Sequence, residues 1–198
     1  KGYYFSNINS SYQDLNKNKI DLFFKIDLGQ KAKISKISFI GDKKFKDAAL
    51  RNIILSEEYR FWKFISGKKY LNENLINYDN RLLRNFYKNK GYYNVEINSS
   101  FASYLGNNEF EVTYNISAGK KFFFNEFNLN LPIDYDRNNF IELNKIFEKL
   151  KGKNYSLYSI DTILKEIDKI VLNKQFEFLN STVKEQVKEN LINFTFDI

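Results

Sequence analysis

The feature that most constrains this chain is a pattern that returns in register about 90 residues later. Ile20, Leu22, Phe24 and Ile26 alternate with Lys19, Asp21, Phe23 and Lys25. That is the period-two signature of a strand with one buried face. Gly29 breaks it, and Ile34 and Ile37 open a second extended run. Adding 90 to each number lands on Phe110, Val112, Tyr114, Ile116, Gly119, Phe124 and Phe127. Lys1-Gly2-Tyr3-Tyr4 returns as Lys90-Gly91-Tyr92-Tyr93, at the nearly equal offset of 89. Such register marks stacked copies of one structural unit. Residues 110–127 are then the end of one unit joined to the start of the next. So short a joint implies a fixed angle between units.

The order of elements follows from periodicity. Leu71, Leu75, Tyr78, Leu82 and Phe86 recur every three or four residues, which predicts a helix over 72–89. Gly91 stands where helices end in a left-handed residue, a conformation glycine adopts without penalty. By the same rule Lys1 is the last turn of a helix, and the chain reads as a piece of a longer protein. Strands are predicted at 3–12 and 19–27, with a polar turn between them. The middle segment has a strand over 33–40, a turn at Gly41-Asp42 and a short helix capped by Asp47 with Leu50, Ile53 and Ile54 inward. An aromatic loop (Phe61, Trp62, Phe64), the long helix and strands over 93–104 and up to 117 complete it. The third segment has a strand over 121–131, a helix striped by Phe140, Leu143, Phe147 and Leu150, and another striped by Ile160, Ile163, Ile167 and Ile170. A strand at 176–183, a charged turn at 184–189 and a final strand through Ile192, Phe194 and Phe196 follow. The divisions are 1–30, a hairpin ending a truncated unit; 31–118, a complete unit; and 119–198, a second complete or nearly complete unit. The fold class is α+β, a tandem β-α-α-β-β repeat.

Composition narrows the chemistry. The 198 residues contain no Cys and no His, which removes disulfides, thiolate metal sites and imidazole acid–base catalysis. Glu57-Glu58 and the pair Asp134 and Asp136 are the nearest acidic clusters. Each sits beside Lys or Arg in a predicted loop, with no second convergent group, and no glycine-rich phosphate loop is present. The chain is read as non-enzymatic, with no cofactor and no metal. Asn-x-Ser/Thr sequons at Asn9, Asn98, Asn115, Asn180 and Asn193 follow from abundant Asn and carry no reading of glycosylation. Net charge is +7, from 31 basic and 24 acidic residues, yet the lysines are scattered singly. A nucleic-acid-binding repeat is the rival from another class; it requires affinity that falls steeply with salt. The preferred reading has no nucleic-acid partner.

The layout resembles POTRA domains, the periplasmic repeats of outer-membrane β-barrel assembly proteins of the BamA family. The residues that carry the resemblance are IDLGQKAKISKISFIGDKKF (26–45), FWKFISGKKY (61–70), LLRNFYKNKGYYNVEI (82–97) and VTYNISAGKKF (112–122). They hold the turn at Gly41, the helix-ending Gly91-Tyr92 and the unit-ending glycines Gly29 and Gly119. The aromatic loop resembles that of the family's third domain, which implies the end of a second unit followed by a third and a fourth. The third segment departs from the pattern, with Leu131-Pro132 closing its first strand and no glycine near 173–176. The resemblance implies a three-stranded mixed sheet in each unit, covered on one face by two helices. It also implies an edge strand formed by Val95, Ile97, Asn98, Ser99, Ser100, Phe101, Ala102 and Ser103. An edge strand offers unpaired N–H and C=O groups to another extended chain, and small side chains and the absence of Pro suit this one to that use. The partners so implied are unfolded outer-membrane proteins and accessory assembly lipoproteins of the BamB and BamD kinds, with weak contact to anionic lipid head groups. Phe61, Trp62 and Phe64 have two readings, packing against the helix stripe or touching an accessory protein. The location implied is the periplasmic part of an outer-membrane protein. The POTRA region of another outer-membrane transporter shares the fold and stays open as an alternative.

Overall fold

The alternation at the start of the chain forms a hairpin, β1 (Asn7–Asp14) antiparallel to β2 (Ile20–Asp27), with Ile8 opposite Ile26 and Tyr12 opposite Leu22. The structure is a computed structural model and describes residues 2–15, 19–62, 66–133, 135–173 and 182–198. After the hairpin come β3 (Lys33–Asp42), α1 (Asp47–Arg51), α2 (Glu73–Lys88), β4 (Glu96–Gly106) and β5 (Glu109–Ser117). Then follow β6 (Phe123–Asn130), α3 (Ile141–Leu150), α4 (Leu157–Asn173), β7 (Thr182–Lys188) and β8 (Leu191–Asp197). The order β-α-α-β-β thus occurs twice. The two larger sheets run β3-β5-β4 and β6-β8-β7, each with the last strand of its set in the centre. β8 pairs parallel to β6 and antiparallel to β7, so that sheet is mixed.

By internal contacts the chain divides into two compact units, Lys1–Leu82 with Ile97–Ile116 and Leu83–Glu96 with Ser117–Ile198. The end of α2 and the Gly-Tyr-Tyr loop therefore belong with the second unit, unlike the sequence-based division. The reason is bonding. The Phe122 N–H donates to the Gly91 carbonyl at 2.8 Å, and the Asn89 side chain accepts from the Tyr158 N–H at 2.8 Å, in the first turn of α4. The Tyr93 ring lies 5.5 Å from Phe122 and 4.9 Å from Tyr155. Its hydroxyl donates to Glu185, and burial together with that bond pushes it up to about 12.

Within each unit the residue before the first strand is held in the same way. In the first unit the Ala32 N–H donates to the Gly2 carbonyl (2.7 Å), the Ala32 carbonyl accepts from the Leu71 N–H (2.9 Å), and the Lys33 N–H reaches Asn108 O (2.7 Å). In the second unit Phe122 bonds Gly91 O (2.8 Å) and the Tyr155 N–H (2.8 Å), and the Phe123 N–H reaches Asn190 O (2.9 Å).

The first unit's core follows the alternation of β5: Phe110, Val112, Tyr114 and Ile116 are buried with Ile34, Ile37, Phe39, Leu50 and Ile54. Asn107 and Asn108 link β4 to β5 with φ of 50° and 59°, the left-handed pair that a two-residue hairpin turn requires. Gly41 has φ +85°, and a Cβ there would stand 2.4 Å from the Ile116 carbonyl oxygen, so no other residue fits. Gly29, Gly91 and Gly119 are also left-handed. In the second unit Phe124, Phe194 and Phe196 of the sheet pack with Phe140, Leu143 and Phe147 and with Ile160, Ile163 and Ile167 in one cluster. Helices α3 and α4 therefore cover one face of that sheet.

Four details differ from expectation. The buried stripe of α2 is Ile76, Asp79, Leu83 and Tyr87, one residue on from the predicted Leu75, Tyr78, Leu82 and Phe86; Tyr78 is exposed. Asp79 causes the shift, because a polar residue in the buried row hides its apolar period. Its carboxylate accepts from Leu55 N–H (2.7 Å), Ser56 N–H (3.2 Å) and the Tyr114 hydroxyl (2.8 Å). The predicted charged turn at 184–189 is mostly strand β7, whose Lys184 pairs with Asp197 at 2.8 Å; the predicted strand at 176–183 falls largely outside the described residues. Asp47 is not the cap of α1 but its first residue, bonded by Lys43. The strand predicted to begin at 93 begins at Glu96: Tyr92 and Tyr93 precede β4 in a turn, with Tyr92 buried and Tyr93 half-buried.

Asp79→Ala takes the acceptor from a buried amide, a part-buried amide and a buried hydroxyl. It should lower unfolding stability by about 3 kcal/mol, and Tyr114→Phe by about 1 kcal/mol, in urea titrations.

Candidate functional site

β4 has β5 on one side and, among the described residues, no strand on the other. The predicted edge is therefore in place, from Glu96 rather than 93. Ile97, Asn98, Ser99, Ser100, Phe101, Ala102 and Ser103 lie on it. Val95 does not: it precedes the strand, donates its N–H to Tyr92 O at 3.3 Å and is buried, so it serves the core. Ser100 accepts a hydrogen bond from the Asn80 side chain at 2.8 Å, which ties the strand to α2. Toward its end the edge carries exposed Phe101, Tyr104 and Leu105, the last two unmarked by the sequence reading. Of these, Tyr104 packs at a tilt against Phe110, 5.2 Å centroid to centroid. This edge joins main-chain donors and acceptors to apolar side chains and bears one charged residue, Glu96. Strand addition at an edge of this kind, where it occurs, works through the backbone rather than through a motif.

The hairpin presents a second apolar surface. Ile8, Tyr12, Ile20, Leu22, Phe24 and Ile26 share one face of β1 and β2 by their pairing, and all are exposed. In the aromatic loop, Phe61 and Trp62 do not pack against the helix stripe: they are 71% and 56% exposed. They form an edge-on pair at 4.6 Å, with the Arg60 guanidinium 5.7 Å from the Trp62 ring. Phe64 lies outside the described residues. Exposure leaves this pair available to a partner, where the sequence left two readings open.

The acidic pairs serve structure. Glu58 accepts from the Ile37 N–H at 3.0 Å and pairs with Arg51 at 3.4 Å. Asp136 accepts from the Asn138 N–H at 2.9 Å and caps the turn before α3; Asp134 lies outside the described residues. The Lys36 ammonium and the Ser38 hydroxyl hold the Glu111 carboxyl below the usual carboxylate range. Among the described residues no three acidic side chains converge as a metal site would require.

Comparison with known proteins bears on this geometry. The sequence family described as POTRA, surface antigen variable number repeat, matches residues 32–119. The outer membrane protein assembly factor BamA of Buchnera aphidicola subsp. Acyrthosiphon pisum is 23% identical over 191 residues, covering 91% of this chain. Residues 32–119 are a POTRA domain. BamA of Neisseria meningitidis serogroup B is 25% identical over 156 residues, or 77% of the chain. The chain spans only 30% and 19% of these two relatives. Among solved structures, POTRA domains 3–5 of Haemophilus influenzae BamA match with a TM-score of 0.58 at 13% identity, over 100% of this chain and 73% of that one. POTRA domains of this type form the periplasmic part of an outer-membrane protein, which fixes the compartment.

Trp62 is the only tryptophan. Its fluorescence should peak near that of a water-exposed indole and be quenched efficiently by acrylamide; an emission maximum typical of a buried indole would contradict its placement.

Proposed function

We propose that this POTRA region is a periplasmic scaffold of outer-membrane protein assembly that receives unfolded β-barrel clients by adding their strands to β4. The observation that carries the reading is the one-sided pairing of β4. Each added main-chain bond contributes only on the order of 1 kcal/mol. A few such bonds give weak, reversible capture, which suits a client that must be passed on. Blindness to sequence suits a client class defined by strands. The two compact units act as successive units of the family, and clients move from them toward a membrane barrel elsewhere in the parent protein. Accessory lipoproteins dock on exposed apolar surface, of which Phe61 and Trp62 are the compact example. The support from relatives is the assembly role in the names of the two BamA proteins.

Proline scanning of residues 98–102 tests the edge. Neighbouring residues of a strand aim their N–H groups to opposite sides. Every second substitution should therefore weaken binding of an unfolded outer-membrane-protein segment several-fold in NMR titrations while the fold persists. Client binding that no position changes, with the fold intact, would sink the proposal.

A further inference from the structure

The first strand of each sheet has an outer edge as well, and the two units treat it differently. In the first unit side chains occupy it. The Ile37 N–H donates to Glu58 (3.0 Å), Arg51 donates to Ile37 O (2.8 Å), and Lys43 donates to Phe39 O (3.0 Å). The Tyr59 N–H fills Ile34 O at 2.6 Å. The 90-residue register maps Ile34, Ile37 and Phe39 onto Phe124, Phe127 and Leu129. Phe124 is satisfied in the second unit: its N–H donates to Lys153 O (2.9 Å) and its carbonyl accepts from the Gly152 N–H (2.8 Å). Phe127 and Leu129 are not. The Ile198 N–H donates to Asn130 O, so Asn130 and Asn128 turn their main chain to β8 and Phe127 and Leu129 turn theirs outward. Among the described residues nothing bonds those outward groups, and the position matching Lys43 is Ile133, fully exposed.

Beside this edge lies a cleft of about 400 Å³ between β6 and α3, lined by Phe127, Leu129, Phe140, Asn144 and Arg137. A second of about 330 Å³ continues it past Phe147 to Glu148 and Lys151. Arg137 has no acid within ion-pair reach among the described residues. Nor is the sheet's other edge equally inviting: β7 carries Lys184, Glu185 and Lys188, and charge on an edge strand discourages pairing.

We propose that the outer edge of β6 is a second strand-addition site, whose occupant is an extended segment of another protein carrying a carboxylate where it passes Arg137. Strand hydrogen bonds form at Phe127 and Leu129, side chains of the added segment enter the cleft, and Arg137 with Asn144 binds the carboxylate. This site is separate from β4 and does not depend on it.

The test uses the whole chain, isotope-labelled, and a seven-residue Thr/Val peptide in three forms: free C-terminus, C-terminal amide, and amide with a terminal Asp. Binding should slow exchange of the Phe127 and Leu129 amides by roughly tenfold at saturation. At least one carboxylate form should bind about fivefold more tightly than the plain amide, and which form gains identifies a chain end or a side chain as the source. Arg137→Gln, at an exposed position, should abolish that difference and leave binding of the plain amide unchanged. The proposal is overturned by equal affinities of all three forms, by an unchanged difference in Arg137→Gln, or by protection confined to 98–102 on β4. The last outcome would leave the β4 reading standing.

Discussion

Each unit hangs on the main-chain clamp around the residue that precedes its first strand. Ala32 and Phe122 share hardly any side-chain chemistry, yet each donates to a glycine carbonyl and accepts from the amide ahead of the next helix or turn. Both are buried, so an unmade bond there would cost the full desolvation of an amide, about 1–3 kcal/mol. The carbonyls come from Gly2 and Gly91, with φ of +89° and +97°, a backbone that L side chains rarely adopt. The glycines must therefore repeat, whereas the clamped residue is free to vary. That is why the register survives in a chain whose copies otherwise diverge.

Once the first strand is pinned, the last strand takes the centre and two edges remain to be managed. The first unit closes one edge with the Arg51–Glu58 pair and leaves β4 with small and apolar side chains. The second unit places charge on β7 and, among the described residues, leaves the outward main-chain groups of Phe127 and Leu129 unbonded beside a cleft. One fold thus exposes different strands for pairing. The difference rests on a handful of side chains, not on topology.

The sequence made the element order legible because period-two strands and left-handed glycines repeat about 90 residues apart. The edge position of β4 was legible only through the resemblance to POTRA domains. What the sequence obscured was polar chemistry in apolar places. Asp79 broke the stripe of α2, and the charges of β7 read as a turn because an edge strand need bury little: only Val183 of β7 is even half-buried. Val95 was assigned to the edge because its side chain suits a strand, yet it closes a buried turn. The exposure of Phe61 and Trp62 depends on a loop path that periodicity does not describe. The plug on β3 was beyond reach of sequence, since Arg51 and Glu58 meet Ile37 only in three dimensions.

Native-state hydrogen exchange of the protein by itself tests the central claim most directly, that the clamp fixes the first strand and side chains decide which edge stays open. The account predicts slow exchange at Ala32 and Phe122 alike, slow exchange at Ile37, and exchange at Phe127 at least tenfold faster than at Ile37. Equal protection of Ile37 and Phe127, or rapid exchange at either clamped amide, would contradict it.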